Sequence, residues 1–420
     1  MPESPPANLH PVTAVDRASK FTDFVVVTVC TLAFALNAGG ILTSLLTDGF
    51  AGQRDFLTYW CSGVQLVHHQ NPYGEAAIGT LERSVGFPPS LQPLIMRNAP
   101  YALVVVYPLG FFTLKVASLI WSVCMILAAW WSVRLIADTS GGRGKKANLL
   151  AIAFAPLLSC LISGQISLFA LLGLSLFVRL VVTRPWLAGA SLWLCAFKPQ
   201  DFVPFGIVLF AWCVSRRAWP ILLGTAVPLA ASVAIVHLMD PHAWREYFGM
   251  MSAAAIPDKF IPSLSTMVRV AINPNAVWLQ WLPMTGGSLW ALFYLRRHGR
   301  AWDWRERTPL LILISIWTAP YSWFMDQSIL LVALLPLLYR RISRPVIWSF
   351  VLISGLVEWA NVFGVPLGSR HLYPWTATIW LGWYLWASRT TPPLDGSEAF
   401  RDPSQQITAV LQASGTTVTR

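Results

Sequence analysis

Six charged or amide residues lie within or beside long apolar stretches of this chain. They are Asp55, Gln165, Lys198, Gln200, Arg269 and Asp326. A carboxylate can take a proton from a hydroxyl group, and a cation can stabilise an anion that develops during a reaction. Charged groups at membrane depth cost about 2.5–3.5 kcal/mol each, so they are usually paired or functional. These residue types are suited to acid–base chemistry.

Each of these residues also has a structural explanation. Lys198 could be a snorkelling residue at a helix end, and Asp326 could be the buried partner of a basic residue. Gln165 could form a hydrogen bond between helices. Asp55 could be an acidic residue at a helix N-terminus, where the helix dipole favours a negative charge. The residue types alone leave both interpretations open.

Composition indicates a polytopic membrane protein. Of 420 residues, 55% are hydrophobic and only 12% are charged, whereas soluble domains carry about 25% charged residues. The net charge of +11 would suggest nucleic-acid binding in a soluble chain, but in a membrane protein it reflects cytoplasmic anchoring charges. None of the six cysteines forms a C-x-x-C pair, so neither a zinc site nor a disulfide framework is predicted.

The apolar stretches predict an all-α bundle of about twelve transmembrane helices. A span needs roughly 17–25 apolar residues, and several stretches are shorter than this. The first stretch is too long for a signal peptide and is predicted to be a retained helix. The stretches are 24–46, one within 101–137, 149–163, 166–182, 186–197, 202–214, 221–239, 277–295, 309–320, 328–338, 346–363 and 375–388.

Basic residues predict the orientation of this bundle. When the spans alternate, most lysines and arginines fall on one set of boundaries, and the positive-inside rule puts that side in the cytoplasm. Both termini are then cytoplasmic, and the protein is predicted to lie in the plasma (inner) membrane. Residues 1–20 and 391–420 are polar and are predicted to be disordered tails around one transmembrane domain, 21–390. The polar residues named above all fall on the non-cytoplasmic side.

The segment "RDFLTYWCSGVQLVHHQNPYG" follows the first predicted span. Its apolar residues recur at helical spacing, which predicts an amphipathic helix lying in the membrane interface until "NPYG" ends it. His68 and His69 are adjacent and point about 100° apart on a helix, so they cannot form an i, i+4 metal pair. No metal and no cofactor is predicted.

Several motifs together resemble glycosyltransferase family 87, whose members are GT-C type membrane mannosyl- and arabinosyltransferases. The motifs are "DFLTYW…HHQNPYG", "NAPYALVVVYPLGFF", "SGQISLFALLGLSLF", "LAGASLWLCAFKPQDFVPF" and "APYSWFMDQSILLVALLPLL". They cover residues 55–338 in the family's order. The series D-F…Y…N-P-Y, G-Q and K-P carries the resemblance, while no single motif decides it.

The resemblance implies a GT-C-like fold and a polyprenyl-phosphate-linked sugar donor, commonly mannose. Transfer would occur on the non-cytoplasmic side, to a glycolipid or glycan acceptor, without a metal. Asp55 matches the aspartate that acts as general base. We assign Lys198, and Arg269 as a second candidate, to the lipid phosphate. The remaining predicted substrate-binding residues are Tyr59, Asn71, Gln165, Gln200, Asp326 and His371.

The chain departs from the family at one motif. Family members often carry histidine in the region that matches "SWFMDQ", where this chain has Asp326 and Gln327; His371 could substitute, or it could be an exposed loop residue. Two other functions stay open. A transporter or flippase often shows related halves with interrupted helices, which this sequence lacks. An inactive member that acts as a scaffold is disfavoured by the presence of Asp55.

Overall fold

The protein is helical throughout the part that its computed structural model describes. Helices make up 81% of the structure. The described residues are 14–46, 49–50, 52–141, 145–253, 261, 263–339, 344–363 and 374–390, and they contain no strand. His371 and the two tails that were predicted to be disordered, apart from the part of helix α1 within 14–20, lie outside these residues.

The helices vary widely in length. The α-helices in the described residues are α1 (Ala14–Leu46), α2 (Arg54–Val67), α3 (Glu75–Ser84), α4 (Leu103–Val106), α5 (Leu114–Thr139), α6 (Lys145–Ile152), α7 (Ala155–Ser163), α8 (Ser167–Leu180), α9 (Pro185–Ser191), α10 (Val203–Arg216), α11 (Trp219–Met239), α12 (Ala243–Ala253), α13 (Leu264–Ile272), α14 (Leu282–His298), α15 (Trp304–Thr318), α16 (Leu331–Tyr339), α17 (Arg344–Phe363) and α18 (Thr376–Thr390). Short 3-10 helices lie at Pro100–Ala102, Tyr107–Phe111, Cys195–Phe197, Pro199–Asp201, Val277–Trp281, Gly299–Ala301 and Phe324–Leu330.

Two helices, α5 and α11, are long and apolar enough to cross a membrane by themselves. Helices α6 and α7 would make a third span together, although a bend of 44° separates them. Other apolar helices, including α8 and α10, fall in a shorter class of 10–17 residues. The described helices therefore support at least two spans, and the predicted count of twelve is not confirmed.

Helix α2 occupies the position predicted for the interfacial helix, but its surroundings differ from the prediction. Most of its apolar residues are buried, but so are the polar residues Ser62 and Gln65, which a helix with one polar face would expose. Gly63 lies so close to the end of α4 that a Cβ atom there would be 2.4 Å from the oxygen of Val106. The prediction of an amphipathic helix in the membrane interface is therefore not confirmed.

Three interruptions in the apolar helices meet near the start of α2. The first is the turn between α7 and α8, the second is the pair of 3-10 helices between α9 and α10, and the third is Phe324–Leu330 between α15 and α16. Helix α7 packs against α2 and Phe324–Leu330, and α8 packs against both Cys195–Phe197 and Phe324–Leu330. Polar residues from separate parts of the chain are thereby brought to one place.

Candidate active site

Asp55 lies in the first turn of α2 and is half-buried. The side-chain amide of Gln165 donates a hydrogen bond from Nε2 to Asp55 Oδ2, at 3.2 Å. Tyr59, one turn further along α2, donates its hydroxyl to Gln165 Oε1 at 2.5 Å. The backbone N–H of Ile166 donates to the same oxygen at 3.0 Å. Because Oε1 has two donors, the amide is fixed with its N–H groups toward Asp55.

Gly164 makes this arrangement possible. Its φ is +72°, which is the left-handed region, and a Cβ atom there would lie 2.4 Å from the Cβ of Phe56. The turn between α7 and α8 therefore approaches α2 more closely than any residue with a side chain would allow. The indole N–H of Trp121 donates to the oxygen of Gly164 at 2.8 Å. Gln165 is thus held in place from both sides of the turn.

A buried ion pair forms the second part of the site. Lys198 Nζ donates to Asp326 Oδ1 at 2.7 Å, and Ser167 Oγ donates to the same oxygen at 2.5 Å. The backbone N–H of Trp323 donates to Asp326 Oδ2 at 2.8 Å. Lys198 is 5% exposed and Asp326 is 0% exposed. Asp326 is therefore the partner of a basic residue, and Lys198 does not snorkel.

Asp55 and the ion pair act on each other electrostatically. Burial raises the pKa of Asp55 to about 6, the positive charge of Lys198 opposes this rise, and the negative charge of Asp326 adds to it. Asp55 lies outside the helices that could cross a membrane. A carboxylate with a pKa near 6 is ionised at neutral pH and is still a stronger base than an ordinary aspartate, which suits general-base catalysis.

The segments that precede and follow α3 hold the backbone next to Lys198. Tyr73 donates its hydroxyl to the oxygen of Asn98 at 3.1 Å, and Asn98 Nδ2 donates to the oxygen of Phe197 at 2.7 Å. Tyr101 donates its hydroxyl to the oxygen of Ala196 at 2.7 Å. The "NPYG" and "NAPY" motifs therefore fix the backbone that immediately precedes the lysine of the ion pair.

Three other predicted site residues lie on separate elements of the described structure. Asn71 is exposed, and its Oδ1 accepts from the backbone N–H of Tyr73 at 2.7 Å, so it stabilises a turn. Gln200 is half-buried in Pro199–Asp201. Arg269 is buried on α13, which packs against α14 and α15.

Two residues near the cluster were not predicted. Ser167 belongs to the quoted "SGQIS" stretch, and Asp201 ends the "FKPQD" stretch. Asp201 is 0% exposed and interacts electrostatically with both Lys198 and Asp326. An ionisable residue in an apolar stretch was the available signal for Asp201. Across the part of the chain that the structure describes, no group of three histidine, cysteine or acidic residues could hold a metal ion.

Comparison with known proteins gives one family. The family model for glycosyltransferase family 87 matches residues 98–366, which is more than half of the chain. Gln165, Lys198 and Asp326 lie inside the match, whereas Asp55 and Tyr59 precede it. No curated protein and no solved structure matches the chain.

Proposed function

Because the chain belongs to glycosyltransferase family 87, we propose that it transfers a hexose, which we take to be mannose, from a polyprenyl-phosphate-linked sugar donor. The acceptor is a hydroxyl group of a glycolipid or glycan. The observation that supports this most directly is the position of Asp55, which is half-buried, hydrogen-bonded to Gln165 and influenced by the Lys198–Asp326 pair. The family membership favours sugar transfer over the alternative of a transporter or flippase.

The proposed reaction is a single displacement. The acceptor hydroxyl gives its proton to the Asp55 carboxylate as its oxygen attacks the anomeric carbon of the donor sugar. The bond between that carbon and the phosphate oxygen breaks, and its electron pair leaves with the polyprenyl phosphate. The configuration of the anomeric carbon is inverted. Asp55 ends the step as a neutral acid and releases its proton to solvent.

Gln165 and Tyr59 position the base in this proposal. Gln165 uses one N–H of its amide on Asp55, and the two hydrogen bonds to its oxygen prevent the amide from turning. A fixed donor to the carboxylate holds one oxygen while the other can face the acceptor. The orientation of a general base within hydrogen-bond reach of its proton is the first requirement of such catalysis.

We propose a different cation for the phosphate from the one that the sequence suggested. Lys198 is already paired with Asp326, and Asp201 lies beside it, so a phosphate dianion at Lys198 would meet two carboxylates. We therefore propose that Lys198 holds these carboxylates and opposes the rise in the pKa of Asp55. Arg269, which is 1% exposed on α13, is then our candidate for stabilising the leaving phosphate.

We further propose that the reaction takes place on the non-cytoplasmic side of the plasma membrane, with both termini in the cytoplasm. The distribution of lysines and arginines along the sequence supports this orientation. Nucleotide sugars are made in the cytoplasm, so a lipid-linked donor is the form of activated sugar that is consistent with this side.

The donor class can be tested with purified protein in proteoliposomes. Transfer of labelled mannose from polyprenyl-phosphate-mannose is compared with transfer from a nucleotide-linked mannose, using lipid extract as the acceptor. We expect transfer from the lipid-linked donor only. Transfer from the nucleotide sugar would contradict the proposed donor, and no transfer from either would support the interpretation as an inactive member.

A further inference from the structure

Asp201 is a buried carboxylate for which the proposed reaction has no use so far. It ends the 3-10 helix Pro199–Asp201, and its side chain is 0% exposed. Neither of its carboxylate oxygens makes a hydrogen bond to any residue that the structure describes. Burying a carboxylate without hydrogen bonds is strongly unfavourable, so such a group calls for a reason, such as a bound ligand or water.

The local backbone places Asp201 on the same side as Lys198. The backbone N–H of Asp201 donates to the oxygen of Lys198 at 3.1 Å, and residues three apart in a 3-10 helix are eclipsed. The charges of Lys198 and Asp326 both act on Asp201. Asp201 is therefore part of the same polar cluster as the ion pair, and through it of the site that contains Asp55.

A second buried polar group without a hydrogen bond among the described residues lies beside Asp201. Ser322 is 5% exposed and its hydroxyl is close to the Asp201 carboxylate. The two do not meet in hydrogen-bond geometry, and Ser322 Oγ makes no hydrogen bond elsewhere among the described residues. Three oxygen atoms thus have no hydrogen-bond partner within the described part of the chain, and two of them belong to one carboxyl group.

The chemistry of these oxygens limits what can bind to them. Burial raises the pKa of the Asp201 carboxyl group well above its usual range. The ionised form only accepts hydrogen bonds, and the neutral form accepts and donates, so the ligand must offer a donor to either form. A phosphate or carboxylate group offers acceptors and would be repelled by the Asp326 carboxylate, which is paired with Lys198. A sugar ring offers adjacent hydroxyl groups that can both donate, and the two oxygens of one carboxylate can accept from such a pair.

We propose that Asp201 and Ser322 form a subsite that binds two adjacent hydroxyl groups of the donor's sugar ring, and that they determine which sugar is transferred. This inference rests on the proposed function, because the sugar is that of the lipid-linked donor. Asp201 binds the sugar in this account, whereas Asp55 takes the proton of the acceptor. A polar site that is built to bind a hydroxyl rejects an analogue that lacks it, since its buried groups are then left unpaired.

The test compares polyprenyl-phosphate-mannose with analogues that each lack one ring hydroxyl. With the complete donor, Asp201→Asn should lower kcat/KM by about ten- to hundredfold, mainly through KM, because a hydrogen bond to a charged group is lost. For one of the deoxy donors, kcat/KM of the wild type should be as low as that of Asp201→Asn with the complete donor. With that deoxy donor, the substitution should lower kcat/KM by less than about twofold further. Ser322→Ala should show the same pattern more weakly, while Ser215→Ala, at an exposed position on α10, should behave as the wild type.

Donor binding is measured in parallel as the rise in unfolding temperature on adding polyprenyl-phosphate-mannose, which tests the subsite independently of turnover. The wild type should be stabilised, and Asp201→Asn should be stabilised less at the same donor concentration. If Asp201→Asn does not fold, Ser322→Ala carries the same comparison without changing the charge. The subsite would be overturned if Asp201→Asn lowered kcat/KM by the same factor for the complete donor and for every deoxy donor. It would also be overturned if the donor raised the unfolding temperature of both variants as much as that of the wild type. Transfer by the wild type tests the proposed function separately.

Discussion

The rate of transfer should depend on the ionisation of Asp55. Burial raises the pKa of this carboxyl group to about 6, and only the carboxylate can accept the proton of the acceptor. At pH 5 about one-tenth of the molecules carry the carboxylate, and at pH 7 about nine-tenths do, so kcat/KM should rise about tenfold between these values. The sign is fixed, because a higher pH removes the proton that blocks the base.

Replacing Lys198 tests the cause of this pH dependence. The charge of Lys198 opposes the rise in the pKa of Asp55, so Lys198→Met should move the midpoint of the acidic limb to higher pH, whatever it does to the maximal rate. The assay is transfer from labelled polyprenyl-phosphate-mannose between pH 5 and pH 8 in proteoliposomes. A rate that is flat over this range, or a midpoint that moves to lower pH in the variant, would refute the reasoning.

Three further substitutions test the geometry of the site. Gly164→Ala should destabilise the protein by about 1–3 kcal/mol, because a side chain at a left-handed residue is strained and has no room; Gly206→Ala, where nothing lies within 4 Å, should be neutral in the same thermal unfolding experiment. Asp326→Asn leaves a buried ammonium group without its counter-charge and should cost about 3–5 kcal/mol, whereas Asp23→Asn breaks an exposed ion pair and should cost at most about 1 kcal/mol. Tyr59→Phe removes one hydrogen bond that orients the amide next to the base, and the transfer rate at pH 7.5 should fall about two- to tenfold; an unchanged rate would show that this bond is not needed.

The helical fold and part of the site follow from the sequence. The apolar composition predicted an all-helical chain, which the structure confirms for the described residues. The sequence predicted that the polar residues in apolar stretches share one side of the membrane, among them Asp55, Gln165, Lys198 and Asp326. In the structure, the side chains of these four residues form one cluster. This prediction was possible because a charged group at membrane depth is costly in free energy and is usually paired or placed in a protein interior.

The details of the site could not be predicted because they depend on how the helices are interrupted. Gln200 was chosen and Asp201 was not, although they are neighbours. A 3-10 helix places residue i+3 on the side of residue i, so Asp201 lies beside Lys198. The sequence "FKPQD" does not distinguish this turn from an open loop. The number of membrane spans is equally unpredictable, since short helices on both sides of a break can form one span or two.

Helix α2 shows the same limit for burial. Its spacing of apolar residues predicted one buried face and one exposed face, but Ser62 and Gln65 are buried as well. Ser62 Oγ donates to the oxygen of Pro72 at 2.9 Å, so the loop after the helix covers this face. A loop that folds back over a helix leaves no periodic pattern in the sequence.

The most direct test of the central claim is the activity of Asp55→Asn. The control is Glu75→Gln. Glu75 lies in the first turn of α3, just as Asp55 lies in the first turn of α2, but its side chain is exposed. Both variants should have unfolding temperatures close to that of the wild type. If Asp55 is the base, its substitution should lower transfer from polyprenyl-phosphate-mannose by about a hundredfold or more, and Glu75→Gln should leave it unchanged.

The contrary result is equally clear. If Asp55→Asn transfers mannose at a rate within about threefold of the wild type, as Glu75→Gln is expected to do, then Asp55 only stabilises the N-terminus of its helix. The base would then have to be another carboxylate of the cluster, and the proposed mechanism would be wrong.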